Sequence, residues 1–198
     1  MKLLHVSGSS DERLTIRIND AERQLLDAAS PRGIYRVVEC SQLPLEGISI
    51  QKHLEGCPRA AILAVTCGSG IDSLLRRAQI RDMAAAVILD AGASVLTEHI
   101  ADAAMETMRE ELGQLYMTPR FSPGYGDYPL LCQRKLLELV DAHRRVGITL
   151  TPANMMLPGK SISALVGLSE HPVKGRLAPC SECVLQGECS FLKEGRHC

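Results

Sequence analysis

The sequence predicts an α+β fold with a mixed, largely antiparallel sheet, a long buried helix and a small cysteine-rich C-terminal tail. Three observations predict it. Residues 59–66 (RAAILAVT) form a continuous apolar run of strand length, the pattern of a strand covered on both faces. From Ile71 to about Leu112 there is no proline and a single glycine, Gly92, and Met83 to Leu96 is apolar on nearly every side, as in a helix enclosed by a core or a broken pair of helices. The segment from Cys180 to Cys198 holds four cysteines among mixed charges and has too few apolar residues to fold unaided. The expected organisation is one domain over residues 1–172 and a tail over 173–198.

In chain order, Asn19-Asp-Ala-Glu22 has the spacing of a capping box, which predicts Asn19 as the N-cap of a short helix ending near Ser30-Pro31. Ile34 to Glu39 reads as a strand, and the Arg59 to Thr66 strand follows a Pro/Gly-containing link. Cys67-Gly-Ser-Gly70 breaks that strand before the long helical stretch, whose His99 to Glu111 part turns amphipathic and emerges toward solvent. A second amphipathic helix is expected from about Leu130 to Arg145, closed by Gly147 as a C-cap. Ile148 to Thr151 and Ser161 to Leu168 are further strand candidates, and no internal repeat is visible.

Composition narrows the function classes. A chain of 198 residues with 45% hydrophobic and 23% charged residues can bury one substantial core. The 22 basic and 23 acidic residues nearly cancel and form no basic run, which argues against nucleic acid and anionic membrane as partners. The N-terminus carries too few apolar residues for a signal segment, and no stretch reaches the uninterrupted apolar length of a membrane span, so a cytoplasmic location is expected. In that compartment eight cysteines do not form a disulfide framework. Cys40, Cys57, Cys67 and Cys132 are expected as ordinary buried thiols.

Four of the six aromatic residues, Tyr116, Phe121, Tyr125 and Tyr128, fall within one Pro/Gly-rich stretch. Aromatics crowded onto such a loop suit stacking on a planar ligand better than core packing, so function is expected here. Elsewhere the signals are weaker. Cys67-Gly-Ser-Gly70 has the form of an anion cradle, but a short glycine pair is weak evidence for one and the tight strand-to-helix turn is the favoured reading; a nucleophilic Cys67 needs a histidine partner that spacing does not reveal. Pro158-Gly-Lys-Ser161 ends like a phosphate-binding loop, but Asn154 stands where that motif requires glycine. The histidines are dispersed and read as surface or hydrogen-bonded residues, His197 beside the terminal cysteine excepted. In the tail, Cys180, Cys183, Cys189 and Cys198 supply four thiolates that suit an iron–sulfur cluster, structural zinc or uncoordinated redox thiols.

Arg120-Phe-Ser-Pro-Gly-Tyr125, then Gly147-Ile-Thr-Leu-Thr151, then Pro158-Gly-Lys-Ser-Ile-Ser163 resembles, as an ordered series, the activation region of cobalamin-dependent methionine synthase. The resemblance extends back through Arg81-Asp-Met-Ala to Glu98 and covers roughly residues 59–172. The chain is similar above all to short stand-alone members of that family with a cysteine-bearing tail. The resemblance implies binding of S-adenosylmethionine beside a corrinoid domain, so that inactive cob(II)alamin is reduced by one electron and remethylated. It implies that Arg120 holds the methionine carboxylate, that Ser122, Pro123, Gly124 and Tyr125 line the adenosyl pocket together with Tyr128, Ser161 and Ser163, and that Tyr125, the catalytic candidate, lies near the corrin face.

Ala164-Leu-Val-Gly167 and Val173-Lys-Gly-Arg176 stand where the full-length enzymes of the family carry aromatic residues. The chain has no Asp-x-His-x-x-Gly corrinoid motif and no cysteine set like the homocysteine zinc site, so it is expected to act in trans, on a methionine synthase or other corrinoid protein lacking its own activation domain. That role needs a low-potential electron donor, and an iron–sulfur tail would put one on the same chain. The alternative is a non-catalytic docking or capping module for a corrinoid protein, with a structural zinc tail.

Overall fold

The structure, a computed structural model, describes residues 12–175 and Gly187. The first half holds helix α1 (Glu12–Ala28), strand β1 (Arg32–Glu39), helix α2 (Ile48–His53), strand β2 (Arg59–Thr66) and helices α3 (Ser69–Arg81) and α4 (Met83–Leu112). Strand β3 (Tyr116–Met117), helices α5 (Cys132–Leu139) and α6 (Ala142–Val146) and strands β4 (Thr149–Leu150), β5 (Met156–Leu157) and β6 (Ser161–Ser169) follow. The fold is the expected mixture of helices with an antiparallel sheet and one long helix. The cysteines of the tail and His197 lie outside the described residues, as does the N-terminal segment assessed above for a signal.

Packing divides the described chain into two compact units. Unit 1 takes the residues through Ile34, Val65–Glu106 and His143–Ile162, and unit 2 takes Tyr35–Ala64, Thr107–Ala142 and the residues from Ser163 onward.

Unit 1 is helical around a small core of Ala21, Leu25, Cys67, Ile71, Leu74, Leu89 and Ala93. Helix α1 passes straight through Asn19, so the expected capping box is not an N-terminus. The physical reason is visible upstream: Leu14, Ile18, Ala21 and Leu25 recur at helical spacing, so the inward stripe begins before Asn19. Asp20 instead accepts bonds from Arg23 (3.0 Å) and Gln24 (2.7 Å) on the helix surface.

The Cys67–Gly70 turn takes its structural form. A Cβ on Gly70 would lie 2.2 Å from the Ala28 carbonyl oxygen, and Gly68, at φ +88°, would bring one to 2.9 Å from that of Ser30. The backbone meets there directly, Ser30 N–H donating to the Cys67 carbonyl at 2.9 Å. Cys67 is fully buried and burial raises its thiol pKa, against the opposite pull of the Thr97 hydroxyl 3.2 Å from its sulfur, so burial argues against a nucleophile.

The helical stretch after this turn is a broken pair. Asp82 ends α3 in extended geometry and caps α4, its carboxylate accepting the Ala85 N–H at 3.0 Å. Helix α4 buries one stripe, Ala86, Leu89, Ala93, Thr97, Ala101 and Met105, while Met83, Val87 and Val95 stay exposed. Enclosure is therefore one-sided, although the sequence is apolar around the helix. By length and composition alone α4 is the one described helix long and apolar enough to cross a membrane. The stripe that closes the unit 1 core accounts for part of that apolarity.

The Pro158–Ser161 segment is an anchor to α3 and α4. Asp72 accepts the Gly159 N–H at 2.9 Å, and Lys160 pairs with Asp90 (2.8 Å) and donates to the Ser94 hydroxyl (2.9 Å). It follows a short hairpin, β4 with β5, of which the sequence reading contained only the first strand.

Unit 2 holds most of the four-stranded sheet, ordered β1-β2-β6-β3. Its central members carry the continuous apolar runs, β2 being buried from Ala60 onward and β6 from Ser163. The helix expected over 130–145 is interrupted by Asp141, at φ +50°, into α5 and α6. Gly147, at φ +75°, closes α6 as expected, donating to the His143 carbonyl at 3.2 Å.

The close approach at Gly70 gives a direct test. Gly70→Ala should lower unfolding stability by about 1–3 kcal/mol, the usual cost of overpacking, read as a shift of the urea midpoint at unchanged slope. An unchanged midpoint would show that the contact with Ala28 relaxes freely.

Candidate functional site

The aromatic segment leaves β3 at Met117 and runs to Tyr128 within unit 2. Its first half is sewn to β6. Thr118 N–H donates to the Gly167 carbonyl (3.0 Å), and Gly167 N–H donates to the Thr118 hydroxyl (2.8 Å). Phe121 and Leu165 then exchange backbone bonds at 2.9 and 2.8 Å, an isolated antiparallel bridge. Gly167 suits this seam because a Cβ there would come within 2.6 Å of the Cys57 sulfur and 2.9 Å of Thr118.

The second half is a compact turn. Tyr125 N–H donates to the Ser122 carbonyl (3.1 Å), Tyr128 N–H to the Tyr125 carbonyl (3.0 Å) and Gly124 N–H to the Tyr128 carbonyl (2.8 Å). Gly124 and Gly126 both have positive φ, +97° and +54°, conformations that side chains with a Cβ adopt at a cost.

Helix α2 grips this segment at both ends. At the helix N-terminus, Asp127 accepts N–H bonds from Ile48 (2.7 Å) and Ser49 (2.8 Å), and those bonds hold its carboxyl pKa below the ordinary value. At the C-terminal end of α2, the buried His53 Nε2 lies 3.0 Å from both the Pro119 carbonyl oxygen and the Thr118 hydroxyl. A carbonyl only accepts, so this nitrogen carries the proton. The His53 ring also packs on Phe121, centroids 4.7 Å apart.

The aromatic residues divide into two roles. Phe121 (0% exposed) and Tyr128 (1%) are core, which corrects the expectation that the cluster is poorly explained as core. Tyr116 (46%) and Tyr125 (51%) are exposed, and Tyr125 stands edge-on to Phe121 at 5.7 Å. The sequence composition is poor in aromatics, and the sheet spends two of its few on the seam beneath the loop.

The other expected site residues are distributed as follows. Arg120 and Ser122 are half-buried, Pro123 is buried and Gly124 is exposed, all on the same loop. Ser163 is buried in unit 2 with its hydroxyl donated to Gln133 (3.1 Å). Ser161 belongs to unit 1, where its hydroxyl lies 2.7 Å from the Pro158 carbonyl and 2.8 Å from the Thr66 hydroxyl. Tyr128 places its hydroxyl in the interior with no hydrogen-bond partner among the described residues, and burial pushes its pKa upward.

Two residues that organise the site are not among the expected site residues. His53, one of the histidines expected as surface or hydrogen-bonded residues, is fully buried and hydrogen-bonded. Asp127 lies 79 positions from Ile48, and its only sequence signal is an acidic residue after two turn glycines. Cys57, Cys67 and Cys132 are buried and Cys40 partly so, all four as free thiols. Among the described residues no cluster of three or more metal-ligating side chains occurs.

A model of the family described as vitamin B12 dependent methionine synthase, activation domain, matches residues 50–173, which include most of α2, the whole aromatic loop and β6. Among solved structures the chain is similar to the crystal structure of the MetH reactivation domain bound to AdoHcy. That match has a TM-score of 0.64 at 17% identity and covers 98% of this chain and 79% of that chain. No curated protein sequence matches the chain significantly.

The Asp127 clamp predicts a pH dependence with a defined sign. Its folded-state pKa lies below the ordinary value of 3.8, so its contribution is fully present above that value and fades as pH falls toward the folded-state pKa. Asp127→Ala should therefore melt below the wild type at neutral pH, and the gap should narrow on acidification below about pH 4. A gap that stays constant from neutral pH to about pH 3 would contradict an ionised cap.

Proposed function

The chain belongs to the activation-domain family of vitamin B12 dependent methionine synthases, and from that membership we propose that it reactivates, in trans, a separate cobalamin-dependent methionine synthase or related corrinoid protein in the cytoplasm. The observation that carries this reading is the loop Arg120 to Tyr125, fixed along β6 and by α2 inside the matched residues, with the aromatic ring of Tyr125 presented to solvent.

In this reading S-adenosylmethionine is a substrate held on the loop. The Arg120 guanidinium takes the methionine carboxylate as a planar, charge-assisted fork. The main chain of Ser122, Pro123, Gly124 and Tyr125 lines the adenosyl group, since glycine and proline let backbone approach a ligand closely. Tyr125 faces the corrin ring of the partner. One electron from a low-potential donor reduces the inactive corrinoid, the methyl group passes from the sulfonium to cobalt, and S-adenosylhomocysteine leaves. Ser161 and Ser163 hold β6 in place through Thr66 and Gln133. Tyr128 supports the loop from beneath, its ring buried against Phe121.

The four tail thiolates, Cys180, Cys183, Cys189 and Cys198, form a donor set that fits an iron–sulfur cluster, and such a cluster would supply low-potential electron transfer. The same donors fit zinc, in which case the chain is a capping module for a corrinoid protein. That second reading is favoured by Ala164-Leu-Val-Gly167, where Gly167 is packed against Cys57, Thr118 and Leu54 and leaves no room for an added side chain. Iron, sulfide and zinc counted on anaerobically purified protein separate the two tails.

Binding is tested by calorimetric titration of the whole chain with S-adenosylmethionine and S-adenosylhomocysteine. Arg120→Ala should weaken binding by about 10–100-fold, the loss of a charge-assisted hydrogen-bonded pair, with the fold unchanged by circular dichroism. Absence of binding by the wild-type chain would sink the reactivation reading and leave the capping module.

A further inference from the structure

In the reading above Arg120 takes the ligand's carboxylate, and its backbone is fixed on both sides. The peptide unit before it contains the Pro119 carbonyl, whose oxygen lies 3.0 Å from His53 Nε2 and accepts the Thr118 hydroxyl at 3.0 Å. The peptide unit after it carries the Phe121 N–H, which donates to the Leu165 carbonyl at 2.9 Å. A peptide unit is planar, and a residue has only two soft dihedrals, which join the planes on either side of it. Holding both planes therefore holds φ and ψ of Arg120, and with them the direction of its Cα–Cβ bond.

The two tethers differ in kind. The bond at Phe121 is half of a backbone bridge to β6, which does not depend on the side chain carried there. The tether at Pro119 is made by side chains, and His53 reaches it from 66 positions away at the C-terminal end of α2. The imidazole is fully buried. Gly175, at φ +61°, closes over the same contact, since a Cβ added there would lie 2.7 Å from the Thr118 Cβ and 2.9 Å from the His53 Cε1. A ring N–H shut away from water in this manner directs its hydrogen bond to the protein, where leaving it unmade is costly.

We infer that His53 is a positioning residue for Arg120: its Nε2–H fixes the Pro119–Arg120 peptide unit and so aims the guanidinium at the ligand's carboxylate. Buried beneath the loop, His53 offers no surface of its own to a ligand and acts through the backbone alone. This role rests on the reading of the loop as an S-adenosyl ligand site.

Calorimetric titration of the whole chain with S-adenosylhomocysteine, and with 5′-methylthioadenosine, which shares the adenosyl thioether and lacks the amino acid group, tests this. His53→Asn withdraws the donor from the Nε2 position and should weaken S-adenosylhomocysteine binding about fivefold, the worth of one hydrogen bond, while 5′-methylthioadenosine binds as to the wild type. His53→Gln, whose side-chain amide reaches the Nε2 position, should restore the affinity. In an Arg120→Ala background His53→Asn should have no further effect, because the two act as a unit. Gly175→Ala presses on the imidazole without deleting it, should give the same selective loss, and covers the case in which His53→Asn does not fold. Equal weakening of both ligands, or additivity with Arg120→Ala, would make His53 a general prop of the loop and overturn the positioning role. Unchanged S-adenosylhomocysteine affinity in both His53→Asn and Gly175→Ala would overturn it too. In those cases the wild type still binds, whereas a wild type that binds neither compound would bring down the ligand reading itself and the positioning role with it.

Discussion

The aromatic loop and helix α2 hold each other. A helix of six residues is too short to persist alone, and α2 acquires its N-terminal hydrogen bonds from Asp127 and its C-terminal anchorage from His53 on Pro119 and Thr118. The loop in turn has irregular backbone whose polar groups need partners, and α2 and β6 supply them. Phe121 sits where the three elements meet, bonded to Leu165 through its backbone and packed on His53 through its ring. Removing any one of these members takes hydrogen-bond partners from the others, buried ones at the His53 end and solvent-facing ones at the Asp127 end.

This arrangement explains how a Pro/Gly-rich segment presents side chains with fixed geometry. Binding residues are most precise when regular structure locks their surroundings, and here the lock lies under the loop rather than within it. Two aromatics are spent on that support, and Tyr125 remains at the surface. Unit 1 applies the same economy through different contacts. Its Pro158–Ser161 segment, which looks like part of a phosphate loop, directs its backbone and lysine to Asp72, Asp90 and Ser94 and so fixes the start of β6. The residues that form a site in one sequence context form a brace in another.

How much was legible follows from how local each signal is. Strand β2 was read to the residue because eight consecutive residues of one character need no partner to be recognised. Strand β6 and helix α4 are legible from similarly local runs, and the Gly147 cap from a lone glycine at the end of an amphipathic stretch. The four-residue capping pattern at Asn19 is overridden by the longer period of Leu14, Ile18, Ala21 and Leu25, which carries the helix through it. The long helix read as buried all round because composition reports apolarity, whereas burial depends on what lies against each side. At the site, the loop and its Arg120–Tyr125 motif stood out, while the clamp did not. His53 and Asp127 act on residues 66 and 79 positions away, and nothing in their local sequence announces such pairings.

The central claim is reactivation of a corrinoid protein in trans, and one measurement bears on it most directly. The whole chain is mixed anaerobically with a separate corrinoid methyltransferase held as cob(II)alamin, a low-potential reductant and S-adenosylmethionine labelled in its methyl group, and the corrinoid absorption and label are followed. The account predicts that cob(II)alamin disappears as label enters the corrinoid, only when chain and S-adenosylmethionine are both present, and that Tyr125→Ala slows the conversion. Conversion at the same rate without the chain, or none with it against any corrinoid partner offered, would contradict the account.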